Sequence, residues 1–450
     1  MGEPSGARTA AIVALNALGK QDRYLISENL NDSLFDYTER RHADFRKYHR
    51  VTNVSNPNIK STWPFGEKIK VTFNPQNMGD LLSNMYVRIK IPALTAPQNY
   101  ADQLGRHLIE SVVMRVDELE VETYYDDWSI IYDELYSEIT EKIANRYLLN
   151  RGLPYDSSDG GAAFAEYESE LVIPLHFFFS RKYASDDYSS NKPNRPYFPL
   201  CAIYKQKLEF EFNFHKQSFF TDSPNSISLT NFEIVTEEIT IPANERMYFM
   251  KEKQMLITDV VKRHPSTVTE VGKHAIKNNI VANIPVKCIH WFFRNVKFEN
   301  ENIATGDPVP SEDGEYLMHN RFNFSSNVNF DETYSFFAPI MKSTSFYING
   351  NKMPNISDTT HTYYKYLMPL QKRLSRPTRN IYTYSFSMNP VNVEPSGSLD
   401  FSQIQSDKTA IEVKLDTSLV NVDLDKFTLH MYYTGYQTFK FENGFMSIAY

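Results

Sequence analysis

Tyr382 to Ile404 reads YTYSFSMNPVNVEPSGSLDFSQI. Tyr382, Tyr384 and Phe386 recur at every second position, which places three rings on one face of an extended segment. Pro395, Ser396 and Gly397 follow: a stop, a hydroxyl that can bond nearby backbone, and a residue free to take positive φ. The polar-aromatic run Asp400-Phe401-Ser402 comes next. Read physically, the stretch is a strand, a tight corner and a second strand.

The same style extends outward. EKIKVTFN alternates Ile69, Val71 and Phe73, and LLSNMYVRIKIP alternates Met85, Val87, Ile89 and Ile91 while Arg88 and Lys90 face the other way. An apolar face backed by a polar one marks antiparallel sheets. One interruption, YDDWSIIYDELYSEITEKIANRYL, has Trp128, Ile131, Leu135, Ile139 and Ile143 at helical spacing. Strands resume at ELVIPLHFFFS, LCAIYKQKLEFEFNF and ISLTNFEIVTEEITIP, and a second run from about residue 251 includes a hairpin turn at Asn349-Gly350. Many short strands with so little helix predict an all-β chain of two tandem sandwiches, with short helices in loops. The expected division is an N-terminal arm over 1–55, one sandwich over 56–245 and another over 246–450. No residue-level repeat links the halves.

Composition agrees. At 450 residues the chain exceeds one ordinary core. The 29 Tyr and 31 Phe favour pleated surfaces. A net charge of −8 argues against a globally basic nucleic-acid binder. Cys201 and Cys288 lie in apolar runs, as buried free thiols do, and fit a reducing compartment. The apolar patch from Ala10 to Leu18 is too short to span a bilayer, and a signal peptide is not expected.

No nucleophile elbow, phosphate loop, dinucleotide fingerprint, metalloprotease motif or paired catalytic acid is present, so the expectation is no enzyme, no cofactor and no metal site. The eleven histidines are scattered; His176 and His290 sit inside apolar runs and read as packed side chains. Asp126-Asp127 opens the helical segment, where the helix dipole alone favours carboxylates. Glycosylation tripeptides begin at Asn31, Asn53, Asn323 and Asn355, of which the last three are candidate sites; such tripeptides arise often by chance. In the arm, Arg40, Arg46 and Lys47 stand among Phe45 and Tyr48, a basic-aromatic run suited to an acidic neighbour.

Several of these elements, taken in order, resemble the major capsid proteins of nucleocytoplasmic large DNA viruses, the double jelly-roll family. The family's C-terminal signature runs from a YxYSF strand to PSG-x-x-NFS, and here Tyr384, Phe386, Pro395, Ser396, Gly397, Phe401 and Ser402 match while Asp400 replaces the usual Asn. Its N-terminal wording is matched by Gln21, Asp22 and Tyr24, and more loosely by Arg41, His42 and Phe45. Ile173-Pro174-Leu175-His176-Phe177-Phe178-Phe179 and Phe198-Pro199-Leu200-Cys201-Ala202-Ile203 fall where the first barrel's IPL-x-FWF and LPL-x-AL strands belong.

The resemblance implies two consecutive eight-stranded jelly rolls. It also implies a homotrimeric, pseudo-hexagonal capsomer that tiles an icosahedral shell beside neighbouring capsomers. Minor capsid proteins, and an internal membrane layer reached through the arm, are the other implied partners; sequence-specific nucleic acid is not one. The implied location is the virion, after assembly in the host cytoplasm. Two alternatives stay open: a scaffolding or penton-like minor protein of the same lineage, and a β-sandwich carbohydrate-binding protein or enzyme.

Overall fold

Along Leu81–Ile91, Met85, Val87, Ile89 and Ile91 are fully buried, while Tyr86, Arg88 and Lys90 between them are half-buried. Strict alternation of this kind allows the strand to close a core on one side only. The computed structural model describes residues 6–17, 44–56, 60–95, 98, 100–101, 104–149, 167–181, 196–221, 223–296, 299, 320–322, 324, 339–354, 359–417 and 426–449.

The first half contributes β1 (Arg46–Asn53), β2 (Lys68–Phe73), β3 (Leu81–Ile91), β4 (Ile109–Val116) and β5 (Leu119–Tyr125). It continues with β6 (Ser169–Pro174), β7 (Phe198–Pro199), β8 (Leu208–Phe214) and β9 (Asn231–Thr240). One sheet runs β1-β9-β3-β6, with β7 added on β3, and the facing sheet runs β2-β8-β4-β5. Every pairing is antiparallel.

The second half repeats this order with β10 (Gln254–Val268), β11 (Ala275–Asn279), β12 (Pro285–Asn295), β13 (Met341–Ile348) and β14 (Asn351–Met353). Then come β15 (Tyr382–Ser385), β16 (Leu399–Asp400), β17 (Ala410–Leu415), β18 (Phe427–Glu442) and β19 (Phe445–Ile448). Its sheets run β10-β18-β12-β15 and β11-β17-β13-β14, and β16 joins β12 as β7 joins β3. Apart from β19, which pairs with β18 and has no counterpart in the first half, the two halves share one jelly-roll topology strand for strand, which is the expected fold class. The duplication is invisible in the residues and plain in the pairing. Asn349 and Gly350 both take positive φ between β13 and β14, as a two-residue hairpin requires.

Helices occupy the connections: α1 (Gly6–Asn16), α2 (Leu104–Leu108), α3 (Asp126–Leu135), α4 (Ile139–Leu149), α5 (Ala243–Lys251) and α6 (Met368–Gln371). The segment expected as one helix is therefore two, broken at 136–138. α3 is buried on every side, but Ile139 is 76% exposed on α4 and Ile143 is also exposed. The expected arm also ends earlier than residue 55, since Arg46–Asn53 forms β1 and pairs with β9 along its whole length. Leu200–Ile203, expected in a strand, is a 3-10 turn, and Phe177–Phe179 lies past the end of β6.

Candidate functional site between the two sandwiches

α3 leaves β5 at the seam between the sandwiches, so its N-terminal Asp126 and Asp127 are carried into a dry layer. The dipole explains why carboxylates tolerate the position. Their partners come from far along the chain. Arg294 on β12 pairs with Asp127, and the Tyr432 hydroxyl on β18 donates to Asp127 Oδ2 at 3.3 Å. Arg321 reaches Asp126 Oδ2 at 3.0 Å, and His215 Nε2 lies 3.1 Å from the same oxygen. Burial pushes the Asp126 carboxyl up, but Arg321 and His215 outweigh it and hold the group far below the usual range. At the other end of α3, Glu134 accepts from the Thr378 amide at 2.7 Å with Arg379 beside it, while Arg106 pairs with Asp133.

A second carboxylate stitches the halves lower down. Glu122 on β5 pairs with Arg181 and accepts the amides of Phe178 at 2.8 Å and Val261 at 2.9 Å, one from each sandwich. Arg181 also donates to the Asp259 carbonyl at 3.2 Å, and Lys287 Nζ sits 3.3 Å from Asp259 Oδ2. Rings fill the rest: Trp128 against Tyr432 and His290, Phe178 against Phe439, and Phe198 against Phe441. His290 Nε2 lies 2.9 Å from the Tyr136 hydroxyl, and its Nδ1 lies 2.9 Å from Thr383 Oγ1. Charges buried this deeply cost several kcal/mol each unless fully paired, so a displaced neighbour would leave carboxylates stranded. The layer therefore admits one relative orientation of the sandwiches. It holds geometry, and both cysteines are buried and free, with thiols pushed up to about 12 by burial. Among the described residues no group of three or more His, Cys, Asp or Glu is placed to hold a metal ion.

The signature stretch touches this layer through Thr383, beside His290, and through Asn392, whose carbonyl accepts from Lys287 at 2.7 Å, but its rings build its own sandwich. Tyr382 and Tyr384 are buried, and Tyr384 stacks on Phe346 and meets Phe386 edge-on. The expected second strand is only β16, followed by a 3-10 turn over Phe401–Gln403. Asp400 caps that turn, its Oδ1 accepting from the Ser402 amide at 2.9 Å and hydroxyl at 2.7 Å. Asn and Asp cap equally well, which is why the replacement is tolerated. Pro395 and Ser396 fold back on the strand end: the Asn389 amide donates to Ser396 Oγ at 3.1 Å, and the Met388 amide donates to Ser396 O at 3.1 Å. Gly397 has φ +124°, and a Cβ there would sit 3.1 Å from Phe386 O. Gly397→Val is therefore expected to lower stability by about 1–3 kcal/mol. Unchanged thermal melting would show that the corner yields.

Arg46 and Lys47 open β1, where Arg46 pairs with Asp44 at 2.6 Å and Lys47 with Glu237 at 3.0 Å, and Phe45 is exposed just before it. Asn53 is exposed at the other end of β1. Gln21, Asp22, Tyr24, Arg40, Arg41, His42, Asn323 and Asn355 lie outside the described residues. Sequence reasoning passed over Arg181, Arg294 and Arg321. The available signal was an arginine ending an apolar run, as in FFFSR and HWFFR.

A family model described as major capsid protein N-terminus matches residues 42–248, and one described as large eukaryotic DNA virus major capsid protein matches residues 245–447. The chain is 24% identical over 468 residues to the major capsid protein of Pyramimonas orientalis virus, covering 98% of each. It is 21% identical over 413 residues to the major capsid protein of Paramecium bursaria Chlorella virus 1, covering 89% of this chain and 86% of that one. Its fold is similar to a subunit in the quasi-atomic structure of the PBCV-1 virus capsid, with TM-score 0.70, 16% identity, and coverage of 93% and 100%. It is also similar to the Faustovirus major capsid protein, with TM-score 0.59, 11% identity, and coverage of 91% and 92%.

Proposed function

Because the chain belongs to the major capsid protein family of large eukaryotic DNA viruses and is a component of the virion capsid, we propose that three copies close into a pseudo-hexagonal capsomer that tiles an icosahedral shell. The observation that carries this reading is the doubled topology, locked into one orientation by the ion-pair layer. Two like sandwiches held at a fixed angle present non-identical side faces. Such faces generate a closed ring when the rotation between copies divides a full turn. The chain acts by packing, and no turnover is assigned to it.

The division into sandwiches falls in α5, near residue 245. Residues ahead of β1 serve minor capsid proteins or a membrane layer beneath the shell, with the signature residues of the arm taking part. Assembly takes place in the host cytoplasm. The purified chain is expected to scatter light as a species near three times 52.3 kDa. A monomer that persists at micromolar concentration would defeat the capsomer reading.

A further inference from the structure

Among the described residues two lysines are buried. Lys287 Nζ faces the Asp259 carboxylate at 3.3 Å, the partner a buried ammonium ordinarily takes. Lys365 faces an amide: its Nζ donates to Asn380 Oδ1 at 2.7 Å and to the Thr378 carbonyl at 3.3 Å. Lys365 and Asn380 are each only 2% exposed.

Lys365 sits midway along a π turn, Tyr363–Leu367, that runs into α6 between β14 and β15. The wider turn carries Tyr364 and Lys365 inward together. Tyr364 lies edge-on to Trp291, and its hydroxyl donates to Thr344 O at 3.1 Å. Asn380 is presented from the other end of the connection, just ahead of β15. Glu134 on α3 fixes that end by accepting the Thr378 amide at 2.7 Å and its hydroxyl at 2.8 Å. Both groups are therefore held in place from outside the loop that joins them.

A carbonyl bond is about 1.2 Å long, so Asn380 Cγ lies within about 4 Å of Lys365 Nζ. An amine held at that range from a carboxamide, away from water, is close to an attack geometry. Burial, helped by Arg376, brings the Lys365 ammonium down to about 8 against the pull of Glu134. About a tenth of the amine is then neutral at pH 7, enough for a slow reaction that happens once per chain.

We propose that Lys365 and Asn380 join autocatalytically in an isopeptide bond. The neutral Nζ attacks Cγ, the Nζ–Cγ bond forms and the Cγ–Nδ2 bond breaks. A proton passes from Nζ to Nδ2, and ammonia leaves. The product ties the π turn to the entry of β15 and closes the loop that carries α6. Cys201 and Cys288 are free thiols, so this bond supplies a cross-link that no disulfide provides. It forms within one chain and does not depend on assembly into capsomers.

Intact-mass spectrometry of the purified chain is expected to read one ammonia below the sequence mass. A tryptic digest should hold 353–372 joined to 380–408 as one branched peptide, uncut after Lys365. Lys365→Arg should read its full sequence mass and release 380–408 as a linear peptide. Incubation at pH 9, where most of the amine is neutral, should bring any unreacted wild type to completion. A wild type that keeps its full mass after that incubation would overturn the proposal. So would an ammonia loss without the branched peptide, which would place the loss in a succinimide such as Asn349-Gly350 can form.

Discussion

Arg294→Ala is expected to lower the unfolding free energy by about 3–5 kcal/mol, the usual cost of stranding a buried charge. Arg294 is fully buried on β12 and bonds Asp127 on one side and Glu299, at 3.0 Å, on the other. Its guanidinium also lies over the rings of Phe292, Phe322 and Phe324. Burial alone would favour the neutral form, but Asp127 and Glu299 raise its pKa further above the ordinary arginine value. Removing it takes from Asp127 and from Glu299 the guanidinium that bonds both of them. The double variant Arg294→Met with Asp127→Asn should recover part of the loss, because a neutral pair of similar volume has no charge to desolvate. Lys47→Ala, whose ammonium is exposed, should change stability by no more than about 1 kcal/mol. Urea titrations followed by circular dichroism decide the matter: a loss below about 1 kcal/mol for Arg294→Ala would mean that the layer does not hold the sandwiches together.

The contrast between these residues explains what the sequence could and could not tell. Alternation in 81–91 and in 382–386 was readable because one-faced burial imprints a period of two on a single strand. β12 and the first half of β18, up to Gly435, carry no such period, since packing against the first sandwich buries their second face as well. Asp126-Asp127 was correctly placed at a helix start, yet its partners lie at positions 294 and 321, and no local pattern encodes that pairing. The corner at 395–403 was read through its turn residues. The strand expected after it became a capped 3-10 turn because Asp400 offers the backbone a closer acceptor than a neighbouring strand does. Leu200–Ile203 made the same substitution in the first sandwich, directly after β7. That shared corner is the local trace of duplication, and it is written in backbone geometry with unrelated side chains.

Acid should weaken the chain well before its carboxylates titrate. His290 is fully buried and His176 half-buried, and loss of hydration lowers the pKa of His176 to about 4 and that of His290 to about 3. His176 stacks on Tyr132 and lies near Tyr124; Asp133 pulls its value up and Arg106 pulls it down. His290 faces Trp128, Tyr136 and Thr383, with Lys287 lowering it further. In the unfolded chain both titrate near 6.5. Their contribution is therefore complete above that pH and is lost as pH falls toward the folded values, because the unfolded state takes up protons that the folded state refuses. At pH 5 the two together should cost roughly 4 kcal/mol relative to pH 7.5. The lowered carboxylates Asp126 and Glu299 act in the same direction but begin to matter only below their ordinary range, near pH 4. Melting at pH 5 and pH 7.5 gives the test, with His290→Gln as the comparison. That variant keeps a polar side chain between Tyr136 and Thr383 but cannot titrate, so its melting should depend less on pH than the wild type. Equal melting of the wild type at both pH values would show that the two imidazoles are hydrated or already charged in the folded chain.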